Sequence, residues 1–219
     1  MITLIATCHK EKGKCDSNDL CKIIVQIKPD VIFEELSPDF FDKTYKDILP
    51  DTLETKAIKL HRTKYPIAHF PVDADVNMLI DKAFKNEFEY MLERFEHSPR
   101  FQEISIHLDE LTYKYGFPFL NSNQCIDLFA ERYLLEERLL KEINEEMVTK
   151  TFRRWIHILE VREKEMIKNI YNYCTQNEYK NALFLVGAEH RLPIIEKISK
   201  REKENENELK LNWNFNYFG

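Results

Sequence analysis

The chain has 219 residues, 43% hydrophobic and 32% charged, with a formal net charge of −6. That length suffices for one domain with a sizeable core, and the acidic balance argues against a general nucleic-acid binder, which carries a basic face. No apolar run approaches the roughly 20 residues that span a bilayer, and Met1 to Ala6 is too short and uncharged for a signal peptide, so a cytoplasmic location with no membrane partner is expected.

The first 35 residues read as a βαβ unit. Ile2 to Ala6 is an apolar run of strand length, and Ser17 is a candidate helix N-cap. Leu20, Ile23, Ile24 and Ile27 then form an amphipathic helical stripe, which Pro29-Asp30 stops. Val31-Ile32-Phe33 starts a second buried strand, parallel to the first by a right-handed crossover. Residues 37–65 read as loop and short helix, with breaks at Pro38 and Pro50. Ile67 to Val72 is a third strand in which Pro71 marks an end or a sheet edge.

From about 76 to 178 the pattern is helical, and glycine is scarce throughout the chain, at 4 residues. Met78, Phe84, Phe88, Met91, Leu92 and Phe95 suit one helix, with a boundary at Ser98-Pro99. A second helix runs from Phe101 to Tyr115 and stops at Gly116 and Pro118; long helices from Asn121 to about Met147 and from Thr149 to about Asn177 follow. This stretch is too long for a simple crossover and reads as a helical insertion or cap. Ala182 to Val186 is the fourth strand, and Pro193 sits in the first turn of the helix after it, whose apolar face is Ile194, Ile195 and Ile198. Residues 200–208 are a solvated charged stretch. Leu209, Leu211, Trp213, Phe215 and Tyr217 alternate with polar residues, the period of a half-buried terminal strand, expected at an edge and antiparallel. The expected fold is a single α/β domain over residues 1–219. Its central sheet is mixed and largely parallel, flanked by helices, with the helical insertion before the last βα unit.

Four strand ends point to one edge of that sheet, where open α/β sheets bind ligands. They carry His9, Glu34 and Glu35, Asp73 and Asp75, and Glu189 and His190. Imidazole and carboxylate together can hold a water-activating divalent cation or act as an acid–base pair. Glu34 and Glu35 are adjacent and face opposite sides of a strand, so one enters the site easily; Glu35 is chosen. Asp73 and Asp75 have an alternative role as caps of the following helix, and Glu189 one as a first-turn acid. Arg162 lies near the end of the helical insertion, within turning distance of the site. Glu131, Glu136, Glu137, Glu142, Glu145 and Glu146 are interleaved with basic residues and read as a salt-bridged face. His61, His69, His97, His107 and His157 are scattered, and Phe152, Trp155, Ile156 and Leu159 make a core stripe. The five cysteines contain no CxxC pair and read as reduced thiols; Cys8, Cys15 and Cys21, close to His9, match no familiar zinc spacing.

These motifs resemble those of the TraB/PrgY and Tiki superfamily, whose broader fold relatives include erythromycin-esterase-like and ChaN-like proteins. Gly187-Ala188-Glu189-His190 is a GxxH motif after a late strand, and Ala6-Thr7-Cys8-His9 is its early counterpart with alanine for glycine. Ile32-Phe33-Glu34-Glu35-Leu36 matches the strand-two glutamate, and Val161-Arg162-Glu163-Lys164-Glu165-Met166 is similar to the arginine-bearing helix before the last GxxH. The resemblance implies a site built from both histidines and the glutamate, and hydrolase activity. Tiki members are regarded as metal-dependent proteases, esterase-like relatives act on ester bonds, and ChaN-like relatives are linked to haem. The membrane association of Tiki and PrgY proteins has no counterpart in this sequence.

The first expectation is therefore a hydrolase of peptide or ester bonds, acting on a small-molecule or peptide substrate. His9, Glu35 and His190 would hold Mn²⁺, Co²⁺ or Zn²⁺ or act as acid–base groups, with Asp73 and Glu34 as further candidate ligands. Arg162 would stabilise developing negative charge. A haem- or small-ligand-binding protein without turnover is the second expectation. A partner-binding module centred on the helical insertion is the third.

Overall fold

The structure is a computed structural model and describes residues 1–75, 79–204 and 209–219; Met78 and residues 205–208 of the charged stretch lie outside the described residues. Strands β1 (Ile2–Thr7), β2 (Val31–Glu34), β3 (Ala68–Pro71), β4 (Ala182–Gly187) and β5 (Trp213–Asn214) form one sheet in the order β3-β2-β4-β1-β5. Every pairing is parallel. Helices α1 (Ser17–Ile27), α2 (Pro38–Tyr45) and α3 (Leu53–Arg62) connect the first three strands. Then come α4 (Lys82–Glu96), α5 (Pro99–Tyr115), α6 (Phe117–Leu120), α7 (Asn123–Ile143) and α8 (Glu146–Gln176), the expected helical insertion; α9 (Arg191–Glu204) follows β4.

The apolar runs of β1, β2 and β4 are buried along their length because helices cover both faces of the sheet. Side chains alternate between two cores. Ile5, Ile32, Leu183 and Leu185 join α1, α3 and the insertion on one face. Ile2, Leu4, Val31, Phe33 and Phe184 meet Met166, Ile167 and Ile170 of α8 and Ile194 and Ile198 of α9 on the other. Strand β3, half exposed and ending at Pro71, is the opposite edge, as a strand proline requires.

Helix α8, 31 residues and roughly 45 Å long at 1.5 Å per residue, belongs to both cores. Val148 and Phe152 near its start pack in the insertion, while Met166 to Tyr171 pack beneath the sheet. Arg162 and Glu163 fall between these two segments, beside the carboxyl edge of the sheet.

Three expectations are corrected. The terminal strand is two residues long and runs parallel to β1, pairing Ile2 with Trp213 and Thr3 with Asn214. Helix α9 between β4 and β5 carries the chain back toward the edge where β4 began, so β5 runs the same way as β1 and β4. The N-cap of α1 is Asp16, whose carboxylate accepts the Asp19 N–H, while Ser17 donates to Glu11. The 37–65 segment holds two helices, α2 and α3, the second capped by Thr52 and Thr55 in a reciprocal pair. Among the described residues, no helix is long and apolar enough to cross a membrane.

Candidate functional site

The site follows from the strand order. Strand β4 lies between β1 and β2, with Thr7 level with Gly187 and Glu34 level with Leu185. The two histidine-bearing strand ends are thereby neighbours, and Glu35 arrives from the other side. After Gly187 a single 3-10 turn, Ala188–His190, brings His190 back over the sheet edge. His190 Nε2 lies 3.4 Å and His9 Nε2 3.9 Å from the same atom, Glu35 Oε1. The Gly187 N–H donates to Glu35 Oε2 at 2.5 Å. A Cβ at Gly187 would come within 3.3 Å of that oxygen and 3.6 Å of His9 Nε2, so this approach of backbone to carboxylate suits glycine. At the corresponding position of β1, Ala6 is fully buried, and its N–H and C=O are both bonded by the Asn121 side chain, at 2.8 and 3.0 Å. Asn121 thus completes the edge of β1 where short β5 does not reach.

Each imidazole is backed by a carboxylate on its other nitrogen. His190 Nδ1 is 2.8 Å from Glu163 Oε1, and Lys197 donates to Glu163 Oε2 at 2.7 Å. His9 Nδ1 is 3.4 Å from Glu54 Oε1, which also accepts the Thr7 hydroxyl at 2.5 Å. Arg162 closes the third side. Its Nη2 donates to Glu35 Oε1 at 2.6 Å and to Asp73 Oδ2 at 2.8 Å, and its Nε reaches Asp73 at 3.1 Å, a fork on one carboxylate. Four carboxylates, of Glu35, Glu54, Asp73 and Glu163, therefore face four basic groups, of His9, Arg162, His190 and Lys197. Their arrangement raises both histidines to about 9. For His9 the Glu54 contact is the main cause. For His190 burial pulls the other way most strongly, and Glu163 and Glu35 together outweigh it. Burial likewise acts to raise Glu35, but His190, His9 and Arg162 hold its carboxyl well below the usual range.

The structure thus gathers His9, Glu35, His190 and Arg162, with Asp73 joined through Arg162. Glu34 does not join this ion-pair cluster, although it lines the smaller recess beside it. As strand alternation demands, it turns aside, and its carboxylate takes His69 Nδ1 at 2.7 Å and the Tyr45 hydroxyl at 2.8 Å. His69, read from the sequence as scattered, is therefore part of a buried polar knot. Cys8 and Cys15 lie with their Sγ atoms 3.2 Å apart, while Cys21 sits on α1. Glu54, Glu163 and Lys197 were not singled out as site residues from the sequence. Glu163 had one signal, its place beside Arg162 in the quoted helix motif; Glu54 had none.

The His9 side chain is 57% exposed and that of His190 5%, so His9 faces the solvent-filled side. Two recesses open on the cluster. One of about 580 Å³ is lined by His9, Glu35, Arg162 and His190 together with Phe129, Trp155 and Leu159. A smaller one of about 270 Å³ meets His9, Glu35 and Arg162 from the α2–α3 side. Among the described residues, no three acid, imidazole or thiol side chains stand as a preformed metal cage. The donor chemistry nevertheless fits a divalent cation. Two Nε2 atoms converge on one carboxylate, and each ring is oriented by an acid on Nδ1, the usual backing of metal-bound imidazole. One such cation with two neutral rings carries the same charge as the two protonated rings. Comparisons of the chain with family models, with curated proteins and with solved structures find no match.

Proposed function

We propose that this chain is a hydrolase of ester or peptide bonds, with His9, Glu35 and His190 as its reacting centre and holding Mn²⁺, Co²⁺ or Zn²⁺ when loaded. The observation that carries this reading is the convergence of two carboxylate-backed imidazoles on Glu35 Oε1, on the wall of a cavity large enough for a small molecule or a peptide segment. Hydrolysis needs a proton acceptor for water, a proton donor for the leaving group, and positive charge where the carbonyl oxygen becomes anionic. When bound, a divalent cation supplies Lewis acidity and lowers the pKa of water.

The chain's own groups supply the rest. His9, the exposed ring, holds a proton at Nε2 in the unloaded state, with Glu54 facing its Nδ1 at 3.4 Å. His190 is fixed by Glu163 and Lys197 and does not need to turn. Arg162, held by Asp73, keeps a permanent positive charge beside Glu35. In the unloaded state at neutral pH both rings are cationic, so they serve as donors and anion stabilisers, not as bases.

The test is calorimetry with Mn²⁺, Co²⁺ and Zn²⁺ beside a hydrolysis screen of para-nitrophenyl esters and peptide anilides, on wild type and on His9→Ala/His190→Ala. Binding of one cation with turnover, both lost in the double variant, is expected. An absence of turnover on every ester and anilide, with and without each cation, would overturn the reading.

A further inference from the structure

Protein interiors are close-packed, and voids larger than a water molecule are few. The helical insertion nevertheless carries a recess that opens to the surface. Between α4, α7 and α8 and the start of α9 lies a chamber of about 600 Å³, walled by Phe88, Phe95, Phe129, Phe152 and Trp155. Ligand pockets for small molecules fall between about 300 and 1,000 Å³ and are lined in this way. The chamber adjoins the His9–Glu35–His190 recess: Phe129, Trp155, Leu159 and Ala188, with the paired Arg132 and Glu189, line both. Glu163 lines the chamber while its carboxylate holds His190, so the two spaces share a wall.

The charges of the lining select what enters. Glu136, Glu160, Glu163, Glu189 and Glu196 outnumber Arg132 and Lys197. Arg132 is itself held between Glu136 at 3.3 Å and Glu189 at 2.7 Å, with its guanidinium over the Phe129 ring. Lys197 is bound to Glu163. Among the described residues, both basic groups on this wall are already paired, which disfavours a free carboxylate, while the aromatic lining favours an apolar chain.

We propose that this chamber seats the uncharged apolar acyl chain of the substrate, which makes the enzyme selective for hydrophobic acyl esters. This rests on the hydrolase reading of the adjoining site. The reaction is addition of water across the acyl bond. The carbonyl carbon gains the water oxygen, the carbon–oxygen bond to the alcohol breaks, and one water proton passes to the departing alkoxide. The acid formed leaves its carboxylate in the His9–His190 recess and its chain in the chamber.

The experiment pairs rates with binding. Para-nitrophenyl acetate, hexanoate and decanoate are compared by kcat/KM on wild type, Ala130→Trp and Ile156→Trp; the last two fill the chamber from its wall. Binding of the neutral fluorophore N-phenyl-1-naphthylamine is titrated on the same proteins and on His9→Ala. A gain on the order of 100-fold from acetate to hexanoate is expected, since each buried methylene contributes about fourfold. That gain should shrink at least tenfold in either filled variant, with acetate hydrolysis retained. The fluorophore should bind wild type and His9→Ala alike and the filled variants at least tenfold more weakly. Fluorophore binding lost on filling, without turnover of any ester, would support the chamber and sink the hydrolase reading alone. A flat chain-length profile, or fluorophore binding indifferent to both filled variants, would overturn the chamber.

Discussion

His190 and Glu163 meet at 2.8 Å with both side chains 5% exposed or less, joining the last long strand's carboxyl end to the middle of the longest helix. The contact leaves only Nε2 of the ring free to work on Glu35. Glu163→Gln keeps the shape and an acceptor but removes the charge. Its expected effect is a 10- to 100-fold loss of metal affinity and of turnover, the usual cost of losing a carboxylate behind a working imidazole. The His190 pKa should fall from about 9 toward its ordinary value, because one of the two carboxylates raising it is gone. Histidine NMR titration reads this directly. A merely structural Glu163 would lower stability and leave the titration unmoved.

The paired histidines also set how stability depends on pH in chelator. Both folded-state values, about 9, lie above the ordinary 6.5. Their contribution is therefore fully present below pH 6.5 and is lost as pH rises through about 9. The buried His190 contributes up to about 3 kcal/mol by this linkage; the largely exposed His9 adds much less after solvent screening. Urea midpoints should fall between pH 6 and pH 9.5 in wild type and change less over that range in His190→Gln. A wild-type midpoint that holds steady across the window would contradict the assigned pairing.

The two motif-starting positions differ in a way that substitution can expose. Gly187→Ala puts a methyl within 3.3 Å of Glu35 Oε2, against the oxygen that accepts the Gly187 N–H. Displacing Glu35 by a few tenths of an ångström should cost turnover on the order of tenfold, with under about 1 kcal/mol of stability lost. Ala6→Gly should leave turnover unchanged and cost roughly 0.5–1 kcal/mol from added freedom of the unfolded chain. Kinetics and denaturation on the two variants separate the roles, and equal effects on turnover would refute this asymmetry.

That asymmetry marks where the sequence was readable. His9, Glu35 and His190 stand at the ends of unbroken apolar runs, and runs of that kind become strands buried on both faces. The alternation rule said that only one of Glu34 and Glu35 enters easily, without saying which. Direction was not legible for the terminal strand, because a period of two reports burial of alternate side chains and nothing about which way the chain runs. Glu54 and Glu163 escaped for a related reason. Successive helix positions lie about 100° apart, so Arg162 and Glu163 address different partners. Only the tertiary placement of α8 puts Glu35 before one and His190 before the other. Glu54 lay in a segment without a clear stripe, since α3 buries Thr55 and His61 among its apolar residues.

Glu136, on the chamber wall, offers a test of that space by charge. Its side chain is 13% exposed, and burial raises its carboxyl to about 7 despite Arg132 at 3.3 Å. A raised acid favours the unfolded state once that state ionises, so its cost begins near pH 4.5 and is complete above about 7. Glu136→Gln removes the charge and keeps the volume, and Arg132 retains Glu189. The variant should be more stable than wild type by up to about 3 kcal/mol at pH 8 and indistinguishable from it at pH 4. The same change should strengthen binding of the neutral fluorophore at pH 8, because an apolar guest no longer has to sit beside a carboxylate. Paired urea curves at the two pH values check the first statement and fluorescence titration the second. A variant less stable than wild type at pH 8 would mean that the Arg132 pairing outweighs the burial of Glu136.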